Sequence, residues 1–203
     1  MSAESSKTGC FFPFRTYSQW LDPDTADALL DYAIENEAHF NPGTVLYRGV
    51  SKTDPNIRNV IRTRKLGSFR ALLTDRVQEI KPELERAFGI KPFTLGQIET
   101  ELVAYGDGAH FSRHIDTLVV ANQAPTARVL TLVYYFHRRP AGFMGGALRF
   151  YALRGSQVQD VAPDHNVLAA FPSIAPHSVE RVDCPSGQFA DSRFAALIWV
   201  HSQ

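Results

Sequence analysis

The chain has 203 residues, 44% of them hydrophobic, with 21 basic and 21 acidic side chains and a formal net charge of zero. That length and apolar content suit one domain with a single substantial core. The charge balance offers no basic excess to meet a phosphate backbone, so no nucleic-acid partner is expected. Two cysteines occur, Cys10 and Cys184. They can form one disulfide, but nothing requires it, and the plain reading is a pair of reduced thiols in a cytoplasmic protein.

Residues 1–10 are polar and read as a flexible end. The short apolar run that follows is broken by Pro13 and preceded by Glu4, unlike a secretory signal. No run approaches the roughly 20 apolar residues that span a bilayer, so no membrane partner is expected. Residues 22–36 read as a helix. Asp22-Pro23 supplies an N-cap and a first-turn proline, and Ala26, Leu29, Leu30, Ala33 and Ile34 form one stripe. Residues 41–65 are mixed, with Pro42, Gly43, Gly49 and Pro55. The basic run at 58–65 is either a solvated surface or a wall facing substrate. A second helix is read over 68–88 from Phe69, Leu72, Leu73, Val77, Ile80 and Leu84, with Pro82 as a point to split or kink it and Gly89 as its stop.

Beyond residue 92 the pattern changes to short β-rich runs punctuated by Gly, Pro and Asp, at 95–105, 128–136, 147–151, 167–171, 177–182 and 193–200. Strands without intervening helices argue for an antiparallel barrel or sandwich. The expected architecture is therefore α+β: helical support over about 22–90 and a β core over about 92–203, within one domain spanning 1–203.

His114 and Asp116 stand two apart, so on a strand they project to one face and offer an imidazole nitrogen and a carboxylate oxygen to the same ion. His177, between an apolar strand and the start of another, is the candidate third ligand. Two histidines and one carboxylate on one side of a metal leave positions open opposite, the facial arrangement of non-haem Fe(II) oxygenases. His-x-Asp alone is a weak signal. Arg193 strengthens it, because it begins a strongly apolar strand and shares a face with Ala195, Leu197 and Trp199. Either that arginine reaches water at the strand mouth, or it is buried and needs an anion that a ligand carboxylate would supply through a bidentate pair. His110 and His114 are spaced as helical zinc ligands would be, but Gly106 and Gly108 before them argue against a helix.

Residues 97–200 resemble the prolyl-4-hydroxylase-like branch of the 2-oxoglutarate/Fe(II)-dependent dioxygenases. The resemblance is carried, in order, by Tyr105-Gly-Asp-Gly with Arg-His114-Ile-Asp116, Leu-Val-Tyr-Tyr-Phe, Gly-Gly-Ala-Leu-Arg-Phe, Phe-Pro-Ser with Pro-His177-Ser-Val, and Arg193-Phe-Ala-Ala-Leu-Ile-Trp-Val. It implies a double-stranded β-helix, a cupin-like jelly roll, supported by N-terminal helices. It also implies Fe(II) held by His114, Asp116 and His177, with 2-oxoglutarate and dioxygen as cosubstrates and ascorbate as an optional stimulant. Arg193 and Tyr135 would bind the far carboxylate of 2-oxoglutarate. Tyr105, Val133, Leu148, Val179, Leu197 and Trp199 would line its pocket, although each tyrosine can equally be a plain core aromatic. The interval from His177 to Arg193 is longer than usual in the family. A loop insertion at 183–191 accounts for it, and Arg181 is the alternative anion binder if the alignment is wrong.

The implied activity is hydroxylation of an unactivated C–H bond, in a prolyl residue of a protein or peptide, a free amino acid or a natural-product intermediate. Halogenases of the same superfamily carry a small residue at the carboxylate position, so Asp116 favours oxygen transfer. The alternative is a non-catalytic jelly roll that binds a metabolite, for which the complete ligand set with Arg193 would have no use. His110, Arg113, Thr117 and Asn122 are the substrate-side candidates. The segment 117–128 reads either as a lid over the substrate or as an ordinary connection on the barrel rim.

Overall fold

The computed structural model describes residues 9–47, 50–117 and 128–203. The first half forms β1 (Arg15–Ser18), α1 (Pro23–Glu35), β2 (Asn41–Pro42), β3 (Val45–Tyr47), β4 (Val50–Lys52), β5 (Arg58–Asn59), β6 (Ile61–Thr63) and α2 (Phe69–Phe88). The second half forms β7 (Leu95–Tyr105), β8 (His110–His114), β9 (Arg128–Phe136), β10 (Met144–Gly145), β11 (Leu148–Tyr151), β12 (Val158–Val161), β13 (Val167–Pro172), β14 (His177–Val179), β15 (Val182–Asp183) and β16 (Arg193–Ser202).

Local chemistry sets the helices. The Asp22 carboxylate accepts from the Thr25 amide at 2.9 Å, and Pro23 opens α1 where its missing N–H removes nothing. Ala26, Leu29, Leu30 and Ala33 form its buried face. The second helix runs unbroken through Pro82, buries Leu73, Val77 and Leu84, and stops at Gly89, which adopts φ 65°. Among the described residues, no helix is long and apolar enough to cross a membrane.

Two antiparallel sheets make the core. A seven-stranded sheet has the order β1-β13-β9-β16-β7-β6-β2, and a five-stranded sheet the order β12-β11-β14-β8-β5. Strand parity divides the apolar residues between two layers. On β16, Phe194, Ala196, Ile198 and Val200 face a cluster shared with Leu29, Leu73 and Leu84 of the helices. Ala195 and Leu197 face the space between the sheets, where Val103, Tyr105, Val133, Tyr135 and Phe171 meet Leu148, Phe150 and Val179. This is the double-stranded β-helix with supporting helices, and the α+β expectation holds.

The first half contains more sheet than its sequence signals. Residues 41–63 supply five short strands, and β6 pairs with β7 while β5 pairs with β8. Runs of two or three residues broken by Pro42, Gly43 and Pro55 are too short to show a period; β5 and β6 are held by pairing with the core strands, β2 pairs with β6, and β3 and β4 pair with each other.

Candidate metal centre

His114 ends β8 and His177 begins β14, and the two stand opposite each other in register across the five-stranded sheet. Asp116 lies just beyond β8 rather than on it, which differs from the expectation of one strand carrying both. Its position is fixed by the backbone: the amides of Asp116 and Thr117 both donate to the Ser173 carbonyl, at 2.9 and 3.2 Å. The three side chains converge. The carboxylate oxygens of Asp116 lie 3.6 Å from His114 Nε2 and 3.6 Å from His177 Nε2, and the three ligand atoms lie within 4.8 Å of one another.

The surroundings prepare each ligand. His114 Nδ1 lies 2.8 Å from the Ser112 carbonyl and His177 Nδ1 lies 2.9 Å from that of Ala175. A carbonyl only accepts, so each Nδ1 carries the proton and each Nε2 presents its lone pair. Burial, with His114 as neighbour, holds the His177 imidazole down to about 4, so the ring is neutral near pH 7. Burial by itself would raise the Asp116 carboxyl. The adjacent His177 and His114 and the Thr131 hydroxyl outweigh it and hold the group well below the usual carboxylate range. Thr131 Oγ1 donates to Asp116 Oδ2 at 2.8 Å and lies 2.8 Å from Ser173 Oγ. Two neutral imidazoles and one anionic oxygen on one side of a point fit Fe(II) and leave the opposite side open.

Arg193 lies deeper in the barrel. Its side chain is fully buried, and its Nε and both terminal nitrogens lack a hydrogen-bond partner among the described residues. It is sandwiched between Tyr105 and Tyr135, with ring centroids 4.7 and 4.8 Å from the guanidinium carbon. The Tyr135 hydroxyl is likewise buried without a partner, and burial pushes that phenol up to about 12. A buried cation and a buried hydroxyl without partners are costly unless a ligand satisfies them, so these two groups could hold an anion. Gly146 makes the arrangement possible. It adopts φ +69°, and a Cβ there would lie 2.8 Å from Arg193 Cδ. Arg181, the alternative anion binder, is exposed.

The remaining sequence candidates separate. Val133, Leu148, Val179 and Leu197 line the interior with the tyrosines, and Trp199 lines a cleft of about 430 Å³ together with His114 and Asp116. His110 begins β8, four residues before the metal-ligand end, and its ring nitrogens lie 3.3 and 3.2 Å from the carbonyls of Gly108 and Asn56. Arg113 is exposed and stacks over Tyr151 at 4.4 Å. Thr117 Oγ1 donates to the Arg128 carbonyl at 3.2 Å. Asn122 and most of the 117–128 segment lie outside the described residues, as does most of the polar N-terminal end. Arg138 and Arg139 are held in surface pairs with Asp191 and Asp27. Both cysteines are free thiols, Cys184 buried and Cys10 exposed.

Sequence reasoning missed Thr131 and Glu101. Both were within reach of the strand parity applied to Arg193, since Thr131 shares a face with Val133 and Tyr135, and Glu101 with Val103 and Tyr105.

Comparison with known proteins places this geometry. The family model described as the 2OG-Fe(II) oxygenase superfamily matches residues 100–201. The chain belongs to that family, whose members work with Fe(II), 2-oxoglutarate and dioxygen. It is 32% identical over 152 residues to an uncharacterized PKHD-type hydroxylase, sll0191, of Synechocystis sp., covering 71% of this chain and 49% of that protein. The chain thus spans about half the length of this curated relative. Among solved structures, a Pseudomonas putida prolyl-4-hydroxylase matches with a TM-score of 0.68 at 19% identity, covering 94% of this chain and 92% of that one. A prolyl hydroxylase from Trichoplax adhaerens, in complex with a hypoxia inducible factor oxygen degradation domain peptide fragment, matches with a TM-score of 0.70 at 18% identity, covering 94% and 84%. The fold is that of the prolyl hydroxylases.

Proposed function

We propose that the protein is a 2-oxoglutarate-dependent Fe(II) dioxygenase that hydroxylates an unactivated C–H bond of a small-molecule or peptide substrate. In this reading residues 1–203 act as one oxygenase domain. The observation that carries it is Arg193: a fully buried guanidinium with no carboxylate partner among the described residues, in the same barrel as a His-Asp-His cluster with both Nε2 lone pairs available. A structural arginine would have a carboxylate beside it.

His114, Asp116 and His177 would hold the iron. When bound with 2-oxoglutarate and dioxygen, it supplies the oxidant: the cosubstrate leaves as succinate and carbon dioxide, and one oxygen atom enters the substrate C–H bond. Arg193 and the Tyr135 hydroxyl take the far carboxylate of the cosubstrate. At about 3.3 Å per strand residue, Tyr135 lies about 13 Å along β9 from Thr131, whose hydroxyl fixes Asp116. Val133, Leu148, Val179 and Leu197 keep the pocket apolar, which strengthens the ion pair and excludes water. Trp199 lines the cleft on the metal side. Among the substrate-side candidates, Arg113 and Thr117 flank the metal ligands in sequence, and His110 lies at the far end of their strand.

A prolyl residue in a protein or peptide is the first substrate to examine, with free amino acids and natural-product intermediates after it. The experiment is an Fe(II)-dependent screen of these classes, reading succinate and a mass gain of one oxygen. Succinate formation that requires iron and is lost in Asp116→Ala supports the reading; failure of the iron-loaded protein to bind or consume 2-oxoglutarate rejects it.

A further inference from the structure

We infer that the substrate is anionic, and that it brings a carboxylate to a wall built by Arg58, Arg62 and Arg64 beside the metal ligands. The inference rests on the dioxygenase reading and names the substrate class for the same site. The basic run at 58–65 does not form a solvated surface throughout. Arg58, Arg62 and Arg64 line the cleft that also contains His114 and Asp116. All three converge on one acid. Glu101 is buried on β7, its Oε1 lies 2.8 Å from Arg58, and its Oε2 lies 3.0 Å from Arg62 and 3.9 Å from Arg64. Three guanidinium groups share one carboxylate, so two positive charges remain uncompensated. Asp116, the other acid of the cleft lining, is committed to the metal. Arg128, a fourth arginine of the lining, has its own partner in Glu99 at 2.8 Å.

Unmet hydrogen-bonding capacity lies in the same place. The Nε atoms of Arg58 and Arg62 and the Nε1 of Trp199 are buried without a hydrogen-bond partner among the described residues. Arg58 and Trp199 are 8% and 6% exposed. Arg64 is two-thirds exposed, and at 3.9 Å its contact with Glu101 is too long for a hydrogen bond, so its fork is available to a ligand. Beside the metal ligands the lining is apolar, with Ile57, Phe111 and Ile115, the last 40% exposed between His114 and Asp116; Thr44, Val45 and Ser51 complete it. Phe111 stacks on His114 with centroids 3.6 Å apart and lies beneath Arg58 at 5.0 Å. One aromatic ring therefore separates the cationic wall from a metal ligand. A molecule that fits has a carboxylate for the arginines and an apolar carbon skeleton lying over Phe111 and Ile115, which brings its C–H bonds to the metal. The α-carboxylate of a free amino acid and an Asp or Glu side chain of a peptide share this chemistry.

The test is calorimetric titration of protein loaded with Fe(II) and 2-oxoglutarate under argon, so that the cosubstrate already occupies the Arg193 site. One arm uses the common L-amino acids against their amides. The other uses blocked peptides in which proline is flanked by Asp or by Asn. The expected result is binding about tenfold tighter for the acid member in one arm, which identifies the source of the carboxylate. Arg64→Gln should remove most of that preference, and Arg64→Lys should restore part of it. The 2-oxoglutarate dissociation constant should stay unchanged in both variants. Equal binding of acid and amide in both arms, or binding of neither, overturns the inference. Loss of 2-oxoglutarate binding by the iron-loaded wild-type protein is a different outcome, and it rejects the dioxygenase reading itself.

Discussion

Replacing Arg193 with methionine should move stability and ligand binding in opposite directions. The guanidinium is fully buried, and all three nitrogens lack a hydrogen-bond partner among the described residues. An unpaired ion in the interior costs several kcal/mol even after relaxation. The faces of Tyr105 and Tyr135 return part of this, about 2 kcal/mol each when desolvated. Methionine has similar length and no charge, so the ligand-free variant should gain about 1–2 kcal/mol. At this chain size that is a rise in Tm of roughly 2–8 °C. The cost falls on the cosubstrate. A charge-assisted pair contributes roughly 1.5–3 kcal/mol, so affinity for 2-oxoglutarate should drop about 10- to 100-fold. At a concentration 100 times the wild-type dissociation constant, the ligand should stabilise wild-type protein by about 2.7 kcal/mol, but a variant binding 100-fold more weakly by only about 0.4 kcal/mol. Thermal melts of metal-loaded protein with and without 2-oxoglutarate read both effects. A variant that melts below wild type without ligand and keeps the full ligand-induced shift would refute the reasoning.

Thr131→Val keeps the shape of the side chain and removes the hydroxyl that donates to Asp116. Metal affinity, measured by chelator competition, should fall about 10- to 100-fold with little change in the fold. Gly146→Ala places a methyl against the Arg193 stem at a backbone angle that suits glycine; 2-oxoglutarate binding should weaken several-fold or more while metal binding persists. The His177 imidazole titrates near 4 in the folded chain and near 6.5 when unfolded. Between those values the unfolded chain binds more protons, so stability is lost as pH falls through that window. Metal-free protein should lose about 2 kcal/mol between pH 7 and pH 5. His177→Gln should flatten that dependence in denaturant melts.

The parts of this molecule that could be read from its sequence were legible for different reasons. Arg193 and the tyrosines lie on the long strands β7, β9 and β16, which read as continuous apolar runs because both faces are buried, whereas the metal ligands, at or just beyond the ends of the short strands β8 and β14, are legible through the ordered motifs of the family resemblance. The helices were readable because their caps and apolar stripes are local. The short strands of residues 41–63 were not, since each spans only two or three residues, and β5 and β6 depend for their pairing on β8 and β7 from a distant part of the chain. For the same reason the basic run at 58–65 admitted two readings. Only the folded structure brings Glu101, 43 positions from Arg58, between the arginines and turns them to the cleft. The long interval between His177 and Arg193 is taken up by β15, a tight turn and a single 3-10 turn at Phe189–Asp191, which leaves Arg193 in register with Tyr105.

The most direct test of the central claim is anaerobic titration of 2-oxoglutarate into the purified protein, with and without Fe(II). The expected result is one molecule bound per chain only when iron is present, with binding lost in Asp116→Ala and weakened in Arg193→Met. Equal binding without metal, or in the Asp116→Ala variant with iron, would contradict it.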